Sequence, residues 1–524
     1  MLVRGRPKAP YALLAVLSAA LSVVSCSGGG PGGTNSTGAL PLPHASHHHG
    51  TGGSSLIQHV VIIVQENRTF NDFFATYPGA DATTIGCMKV PGGLRPMHNH
   101  RSSSSGCPSG DETVPLKPAN LSEGCDFGHG YHGFLKNLDG GNMDGFGLFG
   151  GACHGKVKAA YQYVKPQQIL PYTTIANQWV LADHMFQTQG SGSFTAHQDL
   201  IRGGTCINQC GVSSSSASTE SLIDNPTYWP WGCDAASGVK TNLLTGTLQY
   251  LKGQGPFPCS NEFPNGSNSY PTLRDLLDNA SVSWKYYTPC FSSADQPGCS
   301  PSSNCVTTGK PPNCDGSLLD AFDVIYPVRY GSEWGTAVSW PETNIFSDVS
   351  SGTLPKVSWV IPEDDANDHP GENLPCGCDN GPSWVASVVN AVGESNYWNS
   401  SVIIVLWDDW GGFYDNVSPK FLRDGWGGLG FRVPMMVISP YAIAGSGSQG
   451  GYISHTKYEF GSILQYIEDN WSLGNLGTTD VRANSIDDIL DYNQNPRLFK
   501  AIPSEHDAKY FINQPHTVQH GDPE

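Results

Sequence analysis

Oxygen-bearing side chains follow two apolar segments that lie far apart in the chain. Glu66 and Asn67 come shortly after HVVIIV, and Asp408 and Asp409 come shortly after VIIVL. Runs of branched apolar residues predict strands buried on both faces, as in parallel sheets. Because ligands bind beyond the carboxyl ends of such strands, we expect these four side chains to meet at one edge of a sheet. Carboxylate and amide oxygens suit a hard or borderline divalent metal ion.

Each pair, taken alone, also has a structural interpretation. Asn67 or Thr69 could cap a helix that begins near Phe70. Asp408 and Asp409 could lie in a solvated turn, although two tryptophans flank them and oppose full exposure. Adjacent acids repel each other unless a cation lies between them, which favours the metal-binding interpretation.

A glycine- and serine-rich turn offers a candidate nucleophile. Ser191 and Ser193 lie in QTQGSGSFTAHQ, which follows a predicted strand. A hydroxyl in such a turn needs a metal or a base to activate it, and turns of this composition are usually structural.

Loop histidines are further candidates because function concentrates in loops, although a lone loop histidine is more often a surface residue. They are His129, His369 and His455.

The order of the predicted elements indicates an α/β fold. Strands and helices alternate, which predicts a mostly parallel sheet with helices on both faces. The predicted strands are 59–64, 179–182, 282–287, 356–361, 402–406 and 433–439, and the predicted helices are 165–178, 272–279, 383–394 and 458–471. We expect the cysteine-rich stretches at 79–125, 206–260 and 290–315 to be loops inserted into this scaffold.

The composition excludes some partners. The chain has 524 residues and a formal net charge of -18, which argues against nucleic acid because a phosphate backbone needs a basic surface. An acidic metalloenzyme can still bind phosphate, since the metal supplies positive charge locally. Hydrophobic residues make up 38% of the chain, enough to build a core.

The N-terminus has the pattern of an export signal. A basic start precedes an apolar segment that ends at VVSC, which predicts lipidation of Cys26 and anchoring at a bacterial cell surface. The alternative is an ordinary signal peptide and secretion. The predicted domains are 1–26 as a lipoprotein signal peptide, 27–54 as a flexible Gly/Ser/His linker, 55–510 as a single catalytic domain and 511–524 as a polar tail.

The remaining cysteines predict disulfides. Removing Cys26 from the 15 cysteines leaves an even number, which in an exported protein indicates disulfide pairing. Zinc-thiolate binding is the alternative for the pairs Cys206/Cys210 and Cys376/Cys378, whose spacing differs from that of structural zinc sites.

Several long motifs lie along the chain, namely HVVIIVQENRTFNDFF, ADHMFQ with GSGSFTAHQ, WDDWGGFYDNV, FRVPMMVISPYA and YISHTKYEFGSIL. Together they resemble the bacterial phosphoesterase family, which contains phospholipase C enzymes and an acid phosphatase within the alkaline-phosphatase-like superfamily. They occur in the family's order between about residue 56 and about residue 500. The resemblance implies an alkaline-phosphatase-like α/β fold and is specific for the family but not for the substrate.

The resemblance also implies which residues bind the metal. The ENR motif places Glu66 and Asn67 on one divalent metal ion, and the DDWGG motif places Asp408 and Asp409 there.

A nucleophile is implied in the same way. The family's nucleophile follows a Gly-Pro pair, and counting along the motif gives Ser193. Ser191 and Gly192 stand where the family has Gly-Pro, so Ser191 is the lesser candidate and a looser turn is expected. His129, His369 and His455 match family histidines and are candidate catalytic residues, and His369 or His129 would protonate the leaving group or hydrogen-bond the phosphoryl oxygens.

These assignments lead to three functional hypotheses. The first is metal-dependent hydrolysis of phosphate esters through a phosphoserine, with phospholipase C-type cleavage of a phosphodiester such as a phospholipid. The second is a phosphomonoesterase of broad specificity, like an acid phosphatase. The third is a non-catalytic surface lipoprotein that binds phosphate. Aromatic residues at 228–231 and 284–287 could stack on a choline cation in the first case, or simply pack in the core.

Overall fold

The computed structural model describes most of the predicted catalytic region. The described residues are 56–90, 107, 110–122, 126–148, 158–208, 221–228, 231–245, 249–263, 270–291, 296–300, 319–371, 380–420, 427–446 and 449–516. The predicted signal peptide with Cys26, the linker and the last eight residues of the predicted tail lie outside them. Residues 54–524 form one compact unit.

Within the described residues, the strands form one large sheet and several small ones. They are β1 His59–Gln65, β2 Ile85–Met88, β3 Glu112–Pro115, β4 Lys117–Ala119, β5 Gln162–Val164, β6 Val180–Ala182, β7 Met185–Phe186, β8 Cys206–Asn208, β9 Ser221–Pro226, β10 Thr241–Thr245, β11 Tyr250–Leu251, β12 Trp284–Tyr287, β13 Val338–Ser339, β14 Val357–Val360, β15 Ser401–Trp407, β16 Met435–Ile438, β17 Tyr452–Ser454 and β18 Tyr458–Glu459.

The large sheet has eight strands in the order β13-β12-β14-β1-β15-β16-β6-β17. Strand β16 runs antiparallel to both neighbours, and the other adjacent pairs are parallel. The predicted mostly parallel sheet is therefore confirmed. Strands β1 and β15 lie at its centre, and their branched apolar side chains are buried on both faces because helices cover the sheet.

The α-helices of the described residues are mostly short. They are α1 Phe70–Phe74, α2 Tyr131–Leu138, α3 Leu170–Gln178, α4 Ser193–Arg202, α5 Leu273–Asn279, α6 Tyr326–Arg329, α7 Asn344–Ser351, α8 Gly381–Gly393, α9 Phe460–Trp471 and α10 Ala508–Ile512. Helices α3, α7 and α10 pack on α8, whereas α5 and α9 pack on α4, so two helix groups flank the sheet as predicted. None of these helices has the length and apolar character needed to cross a membrane.

Helix α3 is shorter than the sequence predicts. The prediction was 165–178, but the helix begins at Leu170 and has Pro171 in its first turn. Proline is favoured at this position because its missing N–H has no intrahelical partner there. The helix therefore starts where Pro171 allows it, and residues 165–169 form a turn and irregular backbone.

The cysteine-rich insertions are more ordered than predicted. A four-stranded antiparallel sheet, in the order β11-β10-β9-β8, lies in the stretch expected to be loop. Disulfides are confirmed by three pairs, Cys87–Cys107, Cys233–Cys259 and Cys290–Cys299. Cys206 is also disulfide-bonded, which excludes the zinc-thiolate alternative for that residue. Cys210, Cys376 and Cys378 lie outside the described residues.

The C-terminal segment packs against the sheet's helices. Asn390 in α8 exchanges two hydrogen bonds with the backbone of Ile502. Phe511 in α10 is buried, and its ring lies 5.2 Å from that of Trp384 in α8. Helix α10 thus crosses the predicted boundary between the domain and the tail at residue 510, because its apolar side chains pack on α8.

Candidate active site

The two acid-bearing strand ends meet at the centre of the sheet. Parallel pairing places Gln65 opposite Trp407, so the residues that follow each strand are neighbours. The backbone N–H of Asn67 donates to Asp408 Oδ1 at 3.0 Å. Glu66, Asn67, Asp408 and Asp409 are all buried. The structure thus brings together the four side chains that the sequence predicts as metal ligands.

A histidine that the sequence analysis did not select joins them. One ligand atom each from Glu66, His197 and Asp408 lies within 4.8 Å of the others. His197 lies in α4, four residues after Ser193 and on the same helical face. That spacing is a signal from which His197 could have been predicted.

The hydrogen bonds of His197 define its tautomer. The hydroxyl of Tyr286 donates its single hydrogen to Leu319 O at 2.6 Å. It can therefore only accept from His197 Nδ1, which lies 3.3 Å away, so Nδ1 carries the hydrogen. The lone pair of Nε2 then faces Glu66 Oε1 at 3.2 Å. Burial lowers the pKa of His197, against the opposing charge of Asp408, which favours the neutral ring.

The Asn67 amide lies against the same group, and hydrogen bonding alone and a bound cation favour opposite orientations of its oxygen and nitrogen. Its nitrogen lies 3.1 Å from His129 Nε2 and 2.8 Å from His369 Nε2. Its oxygen faces Glu66 Oε2 at 3.2 Å and Asp408 Oδ1 at 3.1 Å, which are acceptors only. Rotating the amide would give these oxygens hydrogen bonds without a cation. The orientation with the oxygen inward is the one that a bound cation requires.

These donors fit a divalent cation. Asp408 Oδ2 is buried and has no hydrogen-bond partner, although His197 Nε2 lies 3.7 Å away. A buried carboxylate oxygen without a donor is costly unless a metal ion satisfies it. Carboxylate oxygens, an amide oxygen and an imidazole nitrogen with an inward lone pair form a mixed donor set suited to zinc-like or manganese-like ions.

The predicted nucleophile faces this group. Ser193 is the first residue of α4, where the helix dipole favours negative charge. Its hydroxyl donates to Asp409 Oδ2 at 3.0 Å and lies 3.3 Å from Asn67 Oδ1. A hydroxyl near both an acidic group and a helix N-terminus is placed where a phosphoryl group could bind.

Ser191 has a different environment. Its hydroxyl donates to Asp224 in β9 and lies 3.2 Å from Thr195 Oγ1. The turn is therefore fixed to the small antiparallel sheet and is fully buried, rather than loose as the Ser-Gly replacement suggested. Among the two serines, the structure places Ser193 beside the acidic group.

The three predicted histidines occupy different positions. His129 is fully buried, and its Nδ1 lies 2.6 Å from Phe127 O, which fixes the ring against Asn67. His369 is partly exposed and approaches the same amide. His455 follows β17, three strands from β15, or about 14 Å at the usual strand spacing. It pairs with Asp183 at 2.8 Å, so the structure does not bring it into the group, and its role stays a prediction.

Two glycines allow the acidic strand ends to approach each other. Gly411 has φ +56° and Gly412 has φ +75°, in the left-handed region. A Cβ on Gly411 would lie 2.1 Å from Asn67 O, and one on Gly412 would lie 2.2 Å from Phe127 Cβ. The turn after β15 therefore requires glycine for space as well as for conformation.

A buried network holds the loop that carries His369. Asp368 Oδ2 accepts from Tyr172 at 2.7 Å and from Trp407 Nε1 at 3.0 Å. Arg68 Nε donates to Asp368 O at 2.9 Å. Burial raises the pKa of Asp368 to about 7, and these donors oppose that rise. The network links the loop after β14 to both central strand ends.

Four of the aromatic residues considered for choline binding are packed in the core, whereas Tyr228 is partly exposed. Trp231, Trp284, Tyr286 and Tyr287 are at most 6% exposed. The Trp231 ring lies 5.5 Å from Phe194, and the Trp284 ring lies 4.9 Å from Phe322. Their packing supports the structural alternative. Residues 229–230 lie outside the described residues.

Comparisons with known proteins agree with the motifs. The profile of the Phosphoesterase family matches residues 57–474. A non-hemolytic phospholipase C of Pseudomonas aeruginosa is 23% identical over 483 residues, covering 83% of this chain and 56% of that protein. The chain thus spans about half the length of that relative. Phospholipase C B of Mycobacterium tuberculosis is 24% identical over 473 residues, covering 83% of this chain and 77% of that protein.

Similarity to solved structures is much weaker. A Vibrio parahaemolyticus protein of the alkaline phosphatase superfamily is 9% identical, with a TM-score of 0.28, covering 70% of this chain and 72% of that one. A TM-score this low supports no conclusion about function. The α/β fold class is confirmed by the architecture itself.

Gly411→Ala is expected to destabilise the protein more than the same substitution at a glycine whose Cβ position is unobstructed. We expect a loss of more than about 2 kcal/mol of unfolding free energy, since strain and displacement of the turn add together. Gly352→Ala is the matched control, because Gly352 has φ +80° but no atom within 4 Å of its Cβ position. Thermal denaturation of both variants measures the difference. Equal losses would show that the contact with Asn67 does not constrain the turn.

Proposed function

Because the chain belongs to the phosphoesterase family, as its motifs predict, we propose that it hydrolyses phosphate esters with one divalent metal ion and Ser193 as the nucleophile. The observation that carries this proposal is the contact of Ser193 Oγ with Asp409 Oδ2 at 3.0 Å, beside the buried group of Glu66, His197 and Asp408. A hydroxyl, an acceptor for its proton and a cation-binding group at one helix N-terminus are the parts that phosphoryl transfer to serine requires.

The metal ion would be held by Glu66, Asn67, Asp408 and His197, with Asp409 beside them. Once bound, a divalent cation would neutralise phosphoryl oxygens and favour the ionised serine hydroxyl. The protein contributes the orientation of these ligands. Tyr286 holds the ring of His197, and His129 holds the amide of Asn67. Such supporting contacts commonly change metal affinity 10- to 100-fold when removed.

The first chemical step transfers the phosphoryl group to the enzyme. Ser193 Oγ attacks phosphorus, the Oγ–P bond forms and the bond to the leaving alcohol oxygen breaks. The serine proton passes to Asp409 Oδ2, which already accepts its hydrogen bond. The N-terminus of α4 stabilises the charge on the phosphoryl oxygens.

His369 is the better placed of the two nearby histidines to protonate the leaving oxygen. It is partly exposed at the edge of the group, whereas His129 is fully buried and hydrogen-bonded through both ring nitrogens. In its protonated form the His369 ring would turn away from the Asn67 amide nitrogen, which its neutral Nε2 contacts at 2.8 Å, and give a proton to the leaving alkoxide. It then takes a proton from the water that attacks the phosphoserine, while Asp409 returns the serine proton. The cycle leaves the enzyme unchanged.

We propose a phosphodiester as the substrate, cleaved in the manner of a phospholipase C. Two similar proteins, from Pseudomonas aeruginosa and Mycobacterium tuberculosis, are phospholipases C by name and match more than four fifths of this chain. Cleavage of the bond between phosphorus and the diacylglycerol oxygen of a phospholipid would leave the head-group phosphate on Ser193. Water would then release it. The lipid-bearing Cys26 predicted from the sequence would hold the enzyme at a membrane surface.

Ser193→Ala is expected to reduce turnover by at least about 1,000-fold, because the nucleophile is lost. Ser191→Ala keeps the nucleophile but removes the bond that anchors the turn to Asp224, so its turnover is expected to fall far less than that of Ser193→Ala. Acid quenching during turnover followed by peptide mass spectrometry should detect a phosphoryl adduct on the peptide that contains Ser193, which is phosphate from a monoester and head-group phosphate from a phospholipid. Full turnover by Ser193→Ala would exclude the covalent route.

Removing divalent metal with a chelator is expected to abolish turnover, and adding back a divalent ion to restore it, because the acidic group would otherwise repel the phosphate. Glu66→Gln should lower metal affinity, whereas Glu505→Gln makes the same chemical change at an exposed position and should not. Calorimetric titration of metal into the stripped proteins measures both. Turnover that survives exhaustive stripping would remove the metal from the mechanism.

A comparison of three substrates tests the proposed substrate class. We expect a p-nitrophenyl phosphodiester of choline and intact phosphatidylcholine to be turned over faster than p-nitrophenyl phosphate, because the proposal requires room for two substituents on phosphorus. Initial rates at several pH values on matched enzyme samples give the ranking. A preference for the monoester would instead identify a phosphomonoesterase, and phosphate binding without turnover of any ester would identify a binding lipoprotein.

A further inference from the structure

A second group of ionisable side chains converges away from the residues assigned to catalysis. Glu342, which follows β13, Glu363, which follows β14, and His516 near the C-terminus each offer a ligand atom. These three atoms lie within 4.8 Å of one another. Glu342 is 1% exposed and Glu363 is 5% exposed, whereas His516 is partly exposed. Since the three residues are distant in sequence, the fold brings them together.

This second group has little compensation for its negative charge. No lysine or arginine among the described residues forms an ion pair with Glu342 or Glu363. Glu342 Oε2 is buried without a hydrogen-bond partner, and so is His516 Nδ1. Buried carboxylates in proteins are usually paired with a cation or bound to a metal ion. The unpaired carboxylate oxygen indicates a missing positive partner, and the unpaired imidazole nitrogen is available as a further ligand.

Protonation is the alternative way to hold two buried carboxylates together. Burial raises the pKa of Glu342 to about 8. Burial and then the charge of Glu342 raise the pKa of Glu363 to about 9. A shared proton would neutralise the pair but would not account for the imidazole that meets it. One metal ion would satisfy both carboxylates and the imidazole at once.

We propose that Glu342, Glu363 and His516 form a second metal site, which takes a divalent ion of the zinc class. Two carboxylate oxygens and one imidazole nitrogen form a donor set that zinc accepts and that magnesium or calcium, which prefer oxygen ligands alone, match less well. Partial exposure of His516 leaves room for water as a further ligand.

The position of the site indicates a structural role. The ion would connect the ends of β13 and β14 to the C-terminal segment through His516. The backbone carbonyl of His516 also accepts a hydrogen bond from Ser300 N at 3.1 Å, next to the Cys290–Cys299 disulfide. The metal and this hydrogen bond together would fasten the end of the chain to the edge of the sheet.

Zinc stoichiometry tests the second site on the full-length protein. The protein is stripped with a chelator and titrated with Zn²⁺ in a calorimeter, and bound zinc is counted after gel filtration. We expect His516→Gln and Glu342→Gln each to bind one equivalent less than the unsubstituted protein. His506→Gln, which removes another imidazole from the same segment, should bind the same amount. The linker histidines and the catalytic group are present in all four proteins, so the difference reports the second site alone.

Thermal denaturation provides the second readout. Zinc should raise the denaturation midpoint of the unsubstituted protein more than that of His516→Gln, a partly exposed change that leaves the core intact. Equal zinc binding by His516→Gln and the unsubstituted protein would overturn the proposal. The proposal would also be overturned if Glu342→Gln bound as many equivalents of zinc as the unsubstituted protein and denatured at a higher temperature. That result would identify a protonated carboxyl pair.

Discussion

Parallel pairing between β1 and β15 is the constraint on which the site depends. The two strands are in register from His59 opposite Ser401 to Gln65 opposite Trp407. Both are buried on both faces, so a shift of one residue would exchange the side chains between two helix layers. The same register lets Asn67 N–H reach Asp408 Oδ1. Hydrophobic burial of the strands therefore provides the free energy that holds mutually repelling acids together.

Much of this arrangement was predictable from local sequence patterns. The apolar runs predict both central strands to within a residue or two. Because ligands bind beyond the carboxyl ends of parallel strands, the sequence also predicts that Glu66 lies beside Asp408. Glycines after Asp409 indicated a tight turn, and the clash that a Cβ on Gly411 would make with Asn67 O explains why. These features depend on short stretches of chain and on one general property of parallel sheets.

Other features depend on contacts that no local pattern contains. His197 was overlooked because its role appears only when α4 is wound and Ser193 is placed on the same face. Strands β8 to β11 were expected to be loops, because the intervening glycines, serines and cysteines conceal short strands that stabilise one another only as a sheet. Glu342 and Glu363 are not predicted as metal ligands from the sequence, because nothing in the segment around either acid indicates a site. Only the fold brings His516 beside them.

The hydrogen bond between Ser191 and Asp224 links the placement of Ser193 to the small antiparallel sheet. Asp224 lies on β9, which pairs with β8, and β8 begins with the disulfide-bonded Cys206. The turn that presents Ser193 therefore rests on a sheet whose edge strand carries a disulfide-bonded cysteine, and disulfides form and persist mainly in oxidising surroundings. The position of Ser193 is thus coupled through Ser191 and Asp224 to the folding of the inserted sheet, whereas the acidic strand ends depend on the large sheet alone.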